Sequence, residues 1–465
     1  MTRVNNFNDI SLSIETLRSG YLNNQFTVID VVLEVIRRVK KEQDGIWTLL
    51  VDEDKLISRA KYLMHQDVEE LPLFGIPFSV KDNIHIRGIP TTASCKSLSF
   101  EPLKTADSVQ QLLDSGAILI GKNTMDQFAT GLVGIRSHIY PVNPFNQEYI
   151  PGGSSSGSAV AVATGLVSFS LGSDTGGSGR IPAALNNIVG LKPTPGVISI
   201  EGMIYANRSF DCMPIFALLC GDAKTIFDLI YRIDNTDSFC GDYTEEKINQ
   251  YPCDFSNLKA AIPNSNHLNF FGDDLAKNSF ELSVKRLRKL GAEIVEIDFS
   301  DFIQAGKKIF EGPILSERYA SIKSYIDDES ELDQNVKNII EKAKNYSAVD
   351  LYEETYEISD IRARVRKKFE DFDFIFVPTA PTIYKISEVE KNPITLNTNM
   401  GYYTYFVNIL NLSALALPSE IRQDGLPFGI CMIGKPRTDE MLLQLGEIWQ
   451  KETNLFLGKK LKSFN

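Results

Sequence analysis

Apolar positions near the start of the chain recur every three or four residues. Over Ser11–Arg18 and Val28–Lys40 this spacing predicts two amphipathic helices, the second with Thr27 as its N-cap, and the first sixty residues read as helical throughout. The pattern then shortens. Phe74–Val80 is a compact apolar run that ends at Lys81-Asp82-Asn83, which predicts a buried strand. Thr105–Ser115 returns to helical spacing, and Ala117–Gly121 reads as a further strand. Alternation of this kind predicts an α/β fold.

The centre has a different texture. From Pro151 to Gly196 the chain is rich in Gly, Ser, Thr and Ala, the composition of a flexible linker. Apolar runs interrupt it at Ala159–Ala163, Leu166-Val167 and Phe169–Leu171, so close backbone packing in a core is the better expectation. Beyond residue 220 the chain is more charged. Leu258–Pro263 and Ala292–Ile297 read as strands around a helix near Phe280–Leu290. Val336–Asn345 and Leu351–Phe369 read as amphipathic helices, Phe372–Val377 as a buried strand, and Leu415–Pro418 and Phe428–Ile433 as late strands. No repeat, disordered tail or convincing linker is visible. The expected organisation is one domain over residues 1–465, with a core at about 70–220 and a cap-like excursion at about 220–400.

Composition narrows the function classes. Hydrophobic residues make up 43% and charged residues 23%, an ordinary well-cored balance. A net charge of −12 argues against a broad nucleic-acid surface, although one local arginine suffices for a small anion. The six cysteines (Cys95, Cys212, Cys220, Cys240, Cys253, Cys431) show neither CxxC nor zinc-ligand spacing and read as reduced core residues. The first residues lack an apolar signal core, and no run approaches the roughly 18 apolar residues of a membrane span. A cytoplasmic protein without membrane or nucleic-acid partners is expected. Nothing calls for a metal or a cofactor, and there is room for a homodimer.

Three features invite a joint chemical explanation: Pro151-Gly-Gly-Ser-Ser-Ser-Gly-Ser158, Gly172-Ser-Asp-Thr-Gly-Gly-Ser-Gly-Arg180, and Lys81. A serine nucleophile needs a base and an oxyanion site. Glycines let backbone amides converge, so Thr175-Gly-Gly-Ser178 can form such a nest around the Ser178 hydroxyl. The chain has four histidines, His65, His85, His138 and His267, none in a familiar nucleophile motif. A lysine can serve as base when burial disfavours its ammonium form, and Lys81 follows a buried segment. The bland readings are a turn or anion nest for the loops and a solvated strand-end lysine. A phosphate loop is excluded because no GK[ST] follows Gly172–Gly177. Asp174 and Arg180 read as a structural buried pair.

The segment from Gly152 to Thr194 resembles the defining segment of the amidase signature family. That resemblance implies a mixed β-sheet sandwiched between α-helices. It also implies Ser178 as nucleophile, Ser154 as bridging serine after a cis Gly153–Ser154 peptide, and Lys81 as base. The amides of Thr175, Gly176, Gly177 and Ser178 would hold the oxyanion. Further blocks resemble the allophanate hydrolase branch: Asp126–Gly134, Ser178-Gly-Arg180, Asn186-Asn187, Arg208–Cys212, Glu311–Tyr319, Val377–Tyr384 and Gly401–Asn408. Ser156 and Gly179 match that branch too.

The implied reaction is hydrolysis of allophanate, or another small ureido or amide substrate, to ammonia and carbon dioxide. Arg318 is the implied partner of the substrate carboxylate, with Gly131 and position 310 beside it. Two departures stand out. Position 310 is Phe where the branch has Tyr, and the chain ends near the close of the amidase region, where many relatives continue into a second domain. The remaining alternatives are a different small-amide hydrolase, the amidase subunit of a tRNA-dependent amidotransferase, or a non-catalytic scaffold.

Overall fold

The apolar runs assemble into one mixed sheet of eleven strands. They are β1 (Trp47–Leu50), β2 (Pro77–Lys81), β3 (Ile118–Asn123), β4 (Phe169–Leu171), β5 (Val189–Lys192), β6 (Ile215–Ala217), β7 (Lys259–Pro263), β8 (Glu293–Ile297), β9 (Phe374–Pro378), β10 (Ser413–Ile421) and β11 (Pro427–Gly434). The computed structural model describes residues 10–42, 44–231, 237–240, 254–326, 331–459 and 461–463. The strand order is β1-β3-β2-β4-β6-β5-β10-β11-β9-β7-β8. β2 runs parallel to both β3 and β4, and β7 parallel to β8 and β9, while β10 and β11 form a long antiparallel pair.

Successive residues of a strand face opposite sides of its sheet. In β9, Phe374 and Phe376 join one core and Ile375 and Val377 the other; in β11, Ile430 and Met432 oppose Cys431 and Ile433 in the same way. Helices cover both faces. The 156–163, 220–230 and 439–453 helices contribute to the first core, and the 300–311, 348–368 and 405–409 helices to the second. The stretch between 220 and 400 supplies three strands, β7, β8 and β9, to this same sheet.

Most predicted elements form within a few residues of their expected bounds. Thr27 caps the Val28–Val39 helix: its hydroxyl accepts from the Asp30 amide, and the Asp30 carboxylate accepts from the Thr27 amide. One expectation needs correction. The first sixty residues are not wholly helical, because Trp47–Leu50 is an edge strand antiparallel to β3. It has four residues, all half-buried or exposed, so it carries no alternation to read. The Ser156–Ala163 helix was visible only as an apolar run. It is buried on every side and so lacks a polar face.

Cys95, Cys212, Cys220 and Cys431 are buried thiols, Cys240 is half-buried, and Cys253 lies outside the described residues. Among the described residues no helix is long and apolar enough to cross a membrane.

Thr27→Ala should lower unfolding free energy by about 1 kcal/mol and Thr27→Ser by far less, as read by chemical denaturation.

Candidate active site

Two neighbouring parallel strands place the lysine. β2 ends at Lys81, and β4 beside it ends at Leu171, so Gly172-Ser173 turns across the lysine's path. The carboxyl ends of parallel strands are where α/β folds gather ligands. The Lys81 side chain is fully buried, and its Nζ lies 2.7 Å from Ser154 Oγ and 2.8 Å from Ser173 Oγ. Burial pushes its pKa down to about 7. Asp126, Asp211 and Asp174 pull the other way and Arg318 adds to the lowering. Ser154 arrives from the loop before the Ser156–Ala163 helix, through a Gly153–Ser154 peptide that is cis.

Ser178 sits at the turn into the Ile181–Leu185 helix, and that turn is held by a buried ion pair. Asp174 Oδ1 accepts from Arg180 Nη2 (2.8 Å) and the Gly177 amide (2.9 Å); Oδ2 accepts from Arg180 Nε (2.9 Å) and the Gly179 amide (2.8 Å). Burial alone would raise the Asp174 pKa, but Arg180 and these amides hold it below the usual carboxylate range. The structural reading of this pair therefore stands.

The Gly401–Asn408 block grips the turn from behind. Arg180 donates to Thr404 O and Asn408 Oδ1, Thr404 Oγ1 to Gly176 O, and Asn408 Nδ2 to Asp174 O. Gly177 has φ +141°, and a Cβ there would meet Thr404 Oγ1 at 2.5 Å, so only glycine fits.

The expected oxyanion nest is narrower than the sequence suggested. The Gly177 amide is committed to Asp174, whereas those of Thr175, Gly176 and Ser178 donate to no described residue. Three donors remain. The Thr175 side chain is itself anchored, its hydroxyl donating to Asp211 Oδ1. Burial pushes the Asp211 carboxyl up to about 6, against the bonds it accepts from Thr175, Ala206 and Asn207.

Arg318, on the Leu315–Ile322 helix, is buried and forms no ion pair with a described residue. Its Nη1 donates to Thr130 Oγ1 at 3.0 Å, and its Nε has no partner. The guanidinium lies over the Phe310 ring, with Cζ 5.4 Å from the centroid. Gly131 follows Thr130, and a Cβ there would crowd Asp126 Oδ2 at 2.7 Å. The candidate binding residues thus share one neighbourhood. Among the described residues no group of three or more His, Cys, Asp or Glu side chains is arranged to hold a metal.

The family model described as Amidase matches residues 30–443. The chain belongs to the amidase family. It is 42% identical to the urea amidolyase of Saccharomyces cerevisiae, over 86% of this chain and 22% of that protein. It is 31% identical to the A subunit of the glutamyl-tRNA(Gln) amidotransferase of Staphylococcus haemolyticus, over 95% of this chain and 97% of that one. The solved allophanate hydrolase of Kluyveromyces lactis superposes with TM-score 0.91 at 37% identity, covering 97% of this chain and 75% of that chain. The chain therefore spans about a fifth of the length of the urea amidolyases it matches.

Several residues of this amidase site escaped sequence reading. Ser173, Thr130, Asp211, Arg136 and Tyr405 lie inside or beside the motif segments but carry no signal of their own. Ser173 was the most accessible to inference, because a residue just beyond a neighbouring parallel strand can meet Lys81.

Arg180→Met leaves Asp174 as an uncompensated buried charge. Unfolding free energy should fall by about 3–5 kcal/mol in a denaturant titration. Removing both charges, in Asp174→Asn/Arg180→Met, should recover part of that loss.

Proposed function

We propose that the chain hydrolyses allophanate, acting as a single amidase unit over its length. The observation that carries the substrate class is Arg318, a buried guanidinium that pairs with no carboxylate among the described residues and whose charge acts on Lys81. Such a group is costly to bury unpaired, and a substrate carboxylate would compensate it. The likeness to the Kluyveromyces lactis allophanate hydrolase supports the same reading.

The family resemblance supplies the order of the chemistry, and the Lys81–Ser154 contact supports its first step. Neutral Lys81 accepts the proton of Ser154, and Ser154 that of Ser178. Ser178 Oγ attacks the terminal carbonyl of allophanate. The amides of Thr175, Gly176 and Ser178 hold the developing oxyanion. The proton returns through Ser154 to the leaving nitrogen, which departs as ammonia. Water then cleaves the acyl-enzyme and regenerates Ser178. The product carries a carboxylate on each side of its one nitrogen, and its breakdown gives carbon dioxide and the second ammonia. Arg318 orients the distal carboxylate, with Phe310 as an apolar wall and Gly131 leaving room beside Thr130.

The amidotransferase reading has one observation of its own, the match over nearly the whole length of that enzyme's A subunit. It would require an added partner before glutamine turned over.

Purified protein should release ammonia rapidly from allophanate and slowly from biuret, malonamate and a simple amide. Turnover of a different member of that set would move the substrate assignment and keep the serine chemistry. Ser178→Ala should lower the rate by more than about a thousandfold while preserving the melting transition.

Because Lys81 works in its neutral form, kcat/KM should rise about tenfold per pH unit below about 7 and level off above it. Lys81→Arg, which stays charged, should be inactive at every pH. A flat profile would remove the lysine from the proton path.

A further inference from the structure

Tyr405 occupies the space between the oxyanion turn and the arginine pocket. Its ring meets Phe310 edge to face, with centroids 5.0 Å apart and planes at 61°. On the other side it abuts the turn, since a Cβ on Gly176 would lie 2.9 Å from Tyr405 Cδ1. Arg318 lies over the opposite partner of that ring pair, Phe310.

The hydroxyl is buried and only loosely engaged. It donates to Asn397 O at 3.2 Å and accepts from Asn397 Nδ2 at 3.5 Å. A phenol whose ring packs among apolar groups needs a partner for its O–H, and a long bond to a carbonyl is easily exchanged for one to an anion.

The electrostatics favour an anion here. Thr130 joins two buried guanidiniums: Arg318 donates to its Oγ1 at 3.0 Å and Arg136 to its carbonyl at 3.1 Å. The Nε atoms of both arginines lack partners among the described residues. The positive fields of both reach the Tyr405 hydroxyl. The carboxylates that act most strongly on these two arginines already accept other bonds, Asp126 from the Gly134 and Arg136 amides and Asp211 from Thr175, Ala206 and Asn207. Phe310 has no hydroxyl to offer.

We propose that Tyr405 is a substrate-binding residue whose hydroxyl, together with Arg318, holds the carboxylate of the substrate. This rests on the allophanate reading and adds a second donor to it.

The test is the ratio of kcat/KM for allophanate to that for biuret, its uncharged amide counterpart. Tyr405→Phe should lower this ratio about ten- to a hundredfold, the range for losing one hydrogen bond to a charged group, through KM more than kcat. Adding Phe310→Tyr to that variant moves a hydroxyl to the touching ring and should recover most of the loss. A folded Tyr405→Phe protein with a ratio within twofold of the parent overturns the proposal.

Phe310→Tyr alone keeps the Tyr405 side chain and tests the same point from the neighbouring ring. It should raise the allophanate-to-biuret ratio less than threefold, because the carboxylate already has its hydroxyl. A tenfold improvement would show that the hydroxyl was missing and would overturn the assignment.

If the parent protein does not turn over allophanate, the substrate reading fails and calorimetric titration with malonamate decides the role of Tyr405. Binding weakened tenfold or more in Tyr405→Phe supports it, and equal binding overturns it.

Discussion

Lys81 Nζ, wedged between the hydroxyls of Ser154 and Ser173, is the contact on which the rest of the site depends. It exists because β2 and β4 run side by side in the same direction and β4 stops at Leu171. The chain then turns over the end of β2 with Ser173. The lysine is dry, so its charged form is disfavoured. Nearby carboxylates would normally restore that charge, yet each is occupied. Asp126 receives two backbone amides, Asp174 receives Arg180 and two more, and Asp211 receives Thr175 and two others. The acids shape the field without forming an ion pair with the lysine, and its pKa falls to about 7. A base at that value fits the proposed chemistry near neutrality.

Arg180 and Arg318, both buried, contrast in their partners. Arg180 is committed to the fold: each of these four side-chain hydrogen bonds fixes the turn bearing Ser178, through Asp174 on one side and Thr404 and Asn408 on the other. That side chain is unavailable to a ligand. Arg318 is the opposite case, with one side-chain bond to a described residue, Thr130, and a guanidinium over an aromatic ring. Burial without an ion pair is tolerable where an anion completes the set. Under the proposed function, stability falls to Arg180 and recognition to Arg318.

The long excursion between residues 220 and 400 takes its meaning from the same volume. Its strands extend the sheet at one edge, while its helices carry Phe310 and Arg318, whose guanidinium reaches back to Thr130. In the proposed function, a Gly/Ser-rich loop set, a lysine and an arginine from distant segments become one site through that return path.

By itself, the sequence determined the alternation of strand and helix, the buried character of the Gly/Ser segment, and membership of the family through Gly152–Thr194. These are local properties: periodicity records which face of an element meets a core, and a glycine-dense motif records where the backbone must crowd. The tertiary structure decided the rest. Trp47–Leu50 became a strand only because β3 offered it an edge. The Gly177 amide was expected in the oxyanion nest, but a carboxylate three residues earlier claims it. Ser173, Thr130 and Tyr405 look ordinary in sequence and acquire partners from strand order and helix packing. Hydrogen bonds between residues far apart in the chain leave no period to read, so only the folded arrangement could assign them.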